Sequence, residues 1–118
     1  MTIEIIAEIA NSHQGNYKTA KKIVKTFSNH GADSIKFQIY FANDFLSTQH
    51  ERFDHFKKQS FSENEWEKLI SYTKKIGFKN IYADVFGLKA FELAKRLQLD
   101  GYKIHSTDLT NEILLKKV

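Results

Sequence analysis

The chain has no cysteine, which excludes disulfides and thiolate metal sites and makes a reducing cytoplasm its natural setting. Nor does it have an apolar run approaching the ~20 residues that a membrane-spanning helix needs. Its start, Met1-Thr2-Ile3-Glu4-Ile5-Ile6, has no basic leader and carries Glu4 where a signal peptide keeps apolar residues. Arginine is scarce: of 18 basic residues only Arg52 and Arg96 are arginines. The lysines, such as Lys18, Lys21, Lys22, Lys25, Lys68, Lys74 and Lys75, are scattered over segments of helical spacing. Nucleic-acid binders focus their basic charge and use arginine to read base edges, so a formal charge of +4 spread this way points elsewhere. A glycine-rich phosphate turn is missing too. The polar loop Asn11-Ser12-His13-Gln14-Gly15-Asn16 holds only Gly15, which excludes a dinucleotide fingerprint.

What is present is a repeated strand–helix order within 118 residues, enough for one modest core. Ile3 to Ile9 reads as a buried parallel strand, nearly continuous in β-branched residues. Ala20, Ile23, Val24 and Phe27 then fall at helical spacing, with Gly31 placed to end the helix. Ser34 to Tyr40 is a second strand. Ser62 and Glu65 form a capping box for a helix carrying Trp66, Leu69, Ile70 and Ile76, which stops near Gly77. Asn80 to Phe86 is a third strand, Leu88 to Leu97 a helix, Gly101 to His105 a fourth strand, and Asn111 to Val118 begins another helix. Residues 41 to 61, with Phe41, Phe45, Phe53, Phe56 and Phe61, follow no period. Their aromatics argue against disorder, and loops of such length are often functional.

Four βα units in a row predict an α/β fold with a parallel sheet. Polar residues within and just after the strands fit a (β/α)8 barrel of the TIM type, whose active site sits at the C-terminal strand ends. A full barrel needs roughly 250 residues. This length supports about half, so the chain is expected to be one half of a barrel domain, completed by further sequence or by a second copy.

Two lysines stand where a charge is out of place. Lys36 lies in Ser34-Ile35-Lys36-Phe37-Gln38-Ile39 and Lys103 in Gly101-Tyr102-Lys103-Ile104-His105, each three residues after an aspartate, Asp33 or Asp100. A buried ammonium without an anionic partner is costly. Two in equivalent places point to a shared anionic ligand. Alternation puts Glu4, Ile6 and Glu8 on one face of the first strand, Lys36 and Gln38 on one face of the second, Tyr82 and Asp84 on the third, and Lys103 and His105 on the fourth. In a barrel that set faces the lumen, so Glu8, Lys36, Gln38, Asp84 and Lys103 surround one cavity. The plainer reading is that its lysines and carboxylates simply neutralise one another.

At these residues three runs resemble the sialic acid synthase family, which makes N-acetylneuraminic acid and its bacterial relatives, pseudaminic and legionaminic acids. They are Ala7-Glu8-Ile9-Ala10-Asn11-Ser12-His13-Gln14-Gly15, Gly31-Ala32-Asp33-Ser34-Ile35-Lys36-Phe37-Gln38, and Tyr102-Lys103-Ile104-His105-Ser106-Thr107-Asp108-Leu109-Thr110-Asn111. They occur in the family's order, and the resemblance covers essentially the whole chain.

The resemblance implies an enzyme that condenses phosphoenolpyruvate with an N-acylated aminosugar and releases phosphate. It implies a divalent metal, Mn2+ or Mg2+, with ligands supplied from outside this chain. Lys36 and Lys103 match lysines that hold phosphate and carboxylate, Ser106 a phosphate-contacting serine and Gln38 a sugar-contacting glutamine. Asp108 stands for a carboxylate near the sugar, so Lys36, Lys103 and Asp108 are the catalytic candidates. Gln38, Asp84, Ser106, Glu8, Asn11 and His13 are the substrate-binding ones.

The chain departs from the pattern in three ways. Asp84 replaces a threonine near the phosphate, His105 replaces a small residue, and Ser12 separates Asn11 from His13. Asp84 has a plainer alternative role, capping the helix that starts at Gly87-Leu88. Open strand edges lead us to expect a homodimer. Two other functions remain open from the residues alone: a non-catalytic half-barrel that scaffolds or senses a ligand, and an aldolase using Lys103 as a Schiff base.

Overall fold

The computed structural model describes residues 2–118. Its elements alternate as the sequence pattern requires: β1 (Ile6–Glu8), α1 (Tyr17–Asn29), β2 (Ser34–Ile39), α2 (Ala42–Phe45), α3 (Phe53–Gln59), α4 (Glu63–Ile76), β3 (Ile81–Val85), α5 (Gly87–Arg96), β4 (Gly101–Ile104), a 3-10 turn (Ser106–Asp108) and α6 (Glu112–Leu115). The strands form one parallel sheet in the order β1-β2-β3-β4.

Side-chain alternation divides this sheet into two unlike faces. Ile35, Phe37, Ile39, Ile81, Ala83 and Val85 are buried with Ala20 and Val24 of α1, Trp66, Leu69 and Ile70 of α4, and Ala90, Phe91, Leu93 and Ala94 of α5. Glu8, Lys36, Gln38, Tyr82 and Lys103 share the opposite, open face. A doubly wound sheet would carry helices on both faces. Cover on one face only is the wall of a barrel.

The repeated aspartate–lysine spacing has a structural origin at its aspartate end. Asp33 Oδ2 accepts the N–H of Ile5 at 2.8 Å, just before β1. Asp100 Oδ2 accepts the N–H of Ile81 at 2.7 Å, at the start of β3. Each aspartate ends a helix-to-strand connection and fastens the foot of the preceding parallel strand. Three residues on, the chain has risen along its own strand to the lysine.

Local signals explain several boundaries. The capping box at α4 is complete: Ser62 Oγ accepts from Glu65 N, and Glu65 Oε2 accepts from Ser62 N. Gly77, at φ +91°, ends that helix in the left-handed region. The stretch that showed no period in sequence contains the short helices α2 and α3. Phe45 and Phe56 of these helices form an edge-to-face cluster with Tyr40 and Phe86, with ring centroids 5.3 to 5.9 Å apart. Four and seven residues are too few to draw a periodic stripe.

Two expectations need correction. The first strand was expected to be buried from Ile3, yet Ile3, Ile5 and Ile6 are 83%, 57% and 47% exposed. Among the described residues β1 is an edge strand with a neighbour only in β2, so no further strand covers them. The final helix is also confined to Glu112–Leu115, where only Leu114 is buried.

Candidate active site

The open face collects the lysines and their counter-charges in rows set by strand register. Glu8 pairs with Lys36, and Lys36 with Tyr82; one step higher, Gln38 pairs with Asp84 and Asp84 with Lys103. Lys36 Nζ lies 3.2 Å from Glu8 Oε2. Gln38 Nε2 donates to Glu8 Oε1 at 3.5 Å. Lys103 Nζ donates to Asp84 Oδ2 at 2.9 Å. A pocket of about 320 Å³ lies between these strands, lined by Ile6, Glu8, Lys36, Tyr82, Gly101, Tyr102 and Lys103.

The lysines are more accessible than strands covered on both faces would allow. The Lys36 side chain is 21% exposed and that of Lys103 is 54% exposed. Asp84 is the group that is fully buried. Its hydrogen bond and charge hold the Lys103 ammonium above the usual lysine range, with the charge of Glu8 adding to the effect.

Below the lysine row is a network that the sequence reading did not assemble. Glu4 Oε1 accepts from Ser34 Oγ, from Asn80 Nδ2 at 2.8 Å and from Tyr82 Oη at 3.2 Å. The Ser34 hydrogen bond, followed by that of Asn80, holds the Glu4 carboxyl below its ordinary pKa. The shared parity of Glu4, Ser34 and Tyr82 was the available signal, but the contribution of Asn80 required the fold.

The other candidates divide. Asp108 Oδ2 accepts the N–H of Gly87 at 2.7 Å, and Asp108 Oδ1 accepts from Asn111 Nδ2 at 2.9 Å. The capping role considered for Asp84 therefore belongs to Asp108. Asp108 and Asn111 line a separate hollow of about 790 Å³ with Gly87, Asn43 and Asp44. Ser106 is exposed at the start of the 3-10 turn. His105 leans away, stacked on Phe86 with ring centroids 4.1 Å apart.

His13 is a correction. Its ring is 1% exposed and stacks on Phe61 at 4.4 Å, with Trp66 edge-on. Trp66 in turn meets Phe37 on the helix-facing side of β2, so His13 belongs to the core behind the sheet and not to the lysine face. Burial lowers its pKa. Its Nδ1 accepts the N–H of Gly15 at 3.0 Å. Gly15, at φ +73°, leaves room for the Lys58 carbonyl, which a Cβ there would approach to 2.1 Å. The His13-to-Gly15 segment is thus a turn locked against the end of α3. Asn11 is half-buried, and its Oδ1 has no partner.

Comparison with known proteins agrees with this geometry. The model of the NeuB family matches residues 23–118. The chain belongs to the NeuB family. It is 39% identical over 114 residues to an uncharacterised protein of Methanocaldococcus jannaschii, covering 97% of this chain and 34% of that one. It is 28% identical to the N,N'-diacetyllegionaminic acid synthase of Campylobacter jejuni, covering 97% and 38% of the two chains. Against the N-acetylneuraminate-9-phosphate synthase of Mus musculus it is 30% identical, covering 96% and 35%.

Among solved structures it superposes with TM-score 0.87 on the N-acetylneuraminic acid synthetase of Leptospira borgpetersenii serovar Hardjo-bovis in complex with citrate. That match has 25% identity and covers 98% of this chain and 40% of the other. A spore coat polysaccharide biosynthesis protein of Bacillus subtilis shares the fold with TM-score 0.72 at 22% identity, covering 97% and 32%. This NeuB-family chain spans about a third of the length of the curated relatives it matches. Its α/β wall of four parallel strands is that part of a barrel domain.

Proposed function

We propose that this chain is the N-terminal part of a nonulosonic acid synthase, which condenses phosphoenolpyruvate with an N-acylated aminosugar and releases phosphate. The observation that carries this reading is the placement of Lys36 and Lys103 on one open barrel face, from neighbouring rows of a parallel sheet. Phosphoenolpyruvate offers a phosphate and a carboxylate, and two ammonium groups suit two anions. The synthase names of the relatives support the substrate class. The Leptospira relative holds a polyanion, citrate.

In the proposed reaction the methylene carbon of phosphoenolpyruvate bonds to the open-chain sugar aldehyde, whose oxygen takes up a proton to become a hydroxyl. Positive charge develops on the adjacent phosphate-bearing carbon, water adds there with loss of a proton, and phosphate departs. Fixed ammonium groups stabilise the leaving charge. Gln38, on the same face, is placed to hydrogen-bond a sugar hydroxyl.

The resemblance also implies a divalent metal. Among the described residues no group of three or more His, Cys, Asp or Glu side chains could hold one. The described residues of this chain do not by themselves fit the metal. Phosphoenolpyruvate and the aminosugar as ligands, a homodimer, and a cytoplasmic setting belong to the same proposal. Among the described residues no helix is long and apolar enough to cross a membrane. The Schiff-base alternative is disfavoured, because Asp84 raises the Lys103 pKa where an amine nucleophile needs it lowered.

The test is phosphate release by the full-length protein with phosphoenolpyruvate, Mn2+ and a panel of N-acylated hexosamines. Release that depends on one of the sugars is expected. Lys36→Ala should reduce it at least about 10-fold, the worth of one charge-assisted bond. Phosphate release that ignores every sugar, or none at all, would overturn the proposal.

A further inference from the structure

The two lysines are neutralised in different ways. Glu8, partner of Lys36, has a side chain 38% exposed and sits on the edge strand β1. It can turn into water and leave Lys36 to an incoming anion. Asp84, partner of Lys103, is 0% exposed and lies on β3 with strands on both sides. Its Oδ2 is held by Lys103, and its Oδ1 is buried without a hydrogen-bond partner. A rotation that broke the Lys103 bond would leave this carboxylate buried and unpaired, a state that folded proteins avoid. Of the two carboxylates, only Glu8 can yield.

We propose that Asp84 is a fixed counter-ion that assigns the substrate's phosphate to Lys36 and leaves Lys103 for a carboxylate or an uncharged oxygen. This rests on the function proposed above. An ammonium has three N–H donors. One on Lys103 is committed to Asp84, and the side chain is 54% exposed, so the others can serve a ligand without breaking the pair. A phosphate dianion placed there would face the Asp84 charge at close range. A carboxylate halves that repulsion, and a hydroxyl removes it. At Lys36 the competing charge moves aside, so a dianion gains the full attraction.

Calorimetric titration of the full-length protein with inorganic phosphate, and separately with phosphoenolpyruvate, tests the assignment. Lys36→Met should weaken phosphate binding by at least about 10-fold. Removing Lys103 alone would strand Asp84, so the informative variant is the double one, Asp84→Asn with Lys103→Met. It deletes a net-neutral pair, and phosphate affinity should stay within about threefold of wild type. Asp84→Asn alone frees Lys103 and should tighten phosphate by about 3- to 10-fold, with a gain that shrinks as salt rises. Glu8→Gln should give a smaller gain.

A double variant as weak as Lys36→Met, or no gain from Asp84→Asn in a folded protein, would overturn the counter-ion role while leaving the function standing. If Asp84→Asn does not fold, the double variant decides. Absence of phosphate and phosphoenolpyruvate binding in wild type and every variant would overturn the function itself, and this inference with it.

Discussion

Gly101 shows how one missing side chain shapes the open face. It sits opposite Tyr82 in the β3–β4 register, and a Cβ there would come within 2.9 Å of Tyr82 Cδ1. The ring has little freedom to retreat, because its hydroxyl donates to Glu4. Gly101→Ala is expected to cost about 1–3 kcal/mol, as overpacking does. Urea unfolding checks this, and the penalty should shrink in a Tyr82→Ala background; a penalty unchanged there would place its cause elsewhere. Asp108 makes a second case. Because its carboxylate takes the first N–H of α5, Asp108→Ala should lose about 1 kcal/mol of stability, as loss of a helix cap does, beyond any effect on activity. The two aspartates also mark what the sequence could convey. Strand parity was enough to put Asp84 on the lysine face, since a two-residue period leaves no choice once the strand is known. The capping of α5 from a residue 21 positions later was beyond a rule that looks only at neighbours.

At the scale of elements, long periodic segments and complete local signals were legible, and short irregular ones were not. The capping box, the four strands and α1, α4 and α5 follow directly from spacing. α2 and α3 escaped because they are held by aromatic contacts with Tyr40 and Phe86, distant in sequence from one another. The turn after β1 was read as part of the site because its histidine resembles a family motif, yet apolar packing with Phe61 and Trp66 claims the ring. That packing has a measurable consequence. Burial depresses the His13 pKa below its ordinary 6.5, so the unfolded chain binds a proton before the folded one does. Stability linked to His13 is therefore complete above the ordinary value and is lost as pH falls through the window beneath it. His13→Asn keeps an acceptor for the Gly15 N–H and removes the titration. Between about pH 7 and pH 5 the wild type should lose more stability than this variant, measured as urea midpoints. Parallel pH profiles for the two proteins would mean that the ring takes up its proton as readily in the folded chain as in the unfolded one, against its burial.

On the scale of the whole molecule, one-sided polarity of the strands was what distinguished a barrel wall from an open doubly wound sheet. The same feature makes the wall incomplete. Among the described residues β1 and β4 each have a neighbour on one side only, leaving backbone N–H and C=O groups along both outer edges. Apolar side chains are also exposed on either side of the sheet segments in sequence: Ile3, Ile5 and Ile6 in and before β1, and Leu109, Ile113 and Leu115 in the stretch after β4. Edges and apolar surface of this kind promote pairing with another chain. Relatives about three times as long have further sequence with which to cover such surfaces. The 118-residue chain studied alone is therefore expected to associate, and light scattering at micromolar concentration should report a dimer or larger species. A charge placed in each exposed apolar group, Ile3→Lys with Ile113→Lys, should shift the population toward monomer, because it breaks the apolar surface that a second copy would cover. A cooperatively melting wild-type monomer would refute the expectation. Association that ignored both lysines would place the contact away from these two apolar groups.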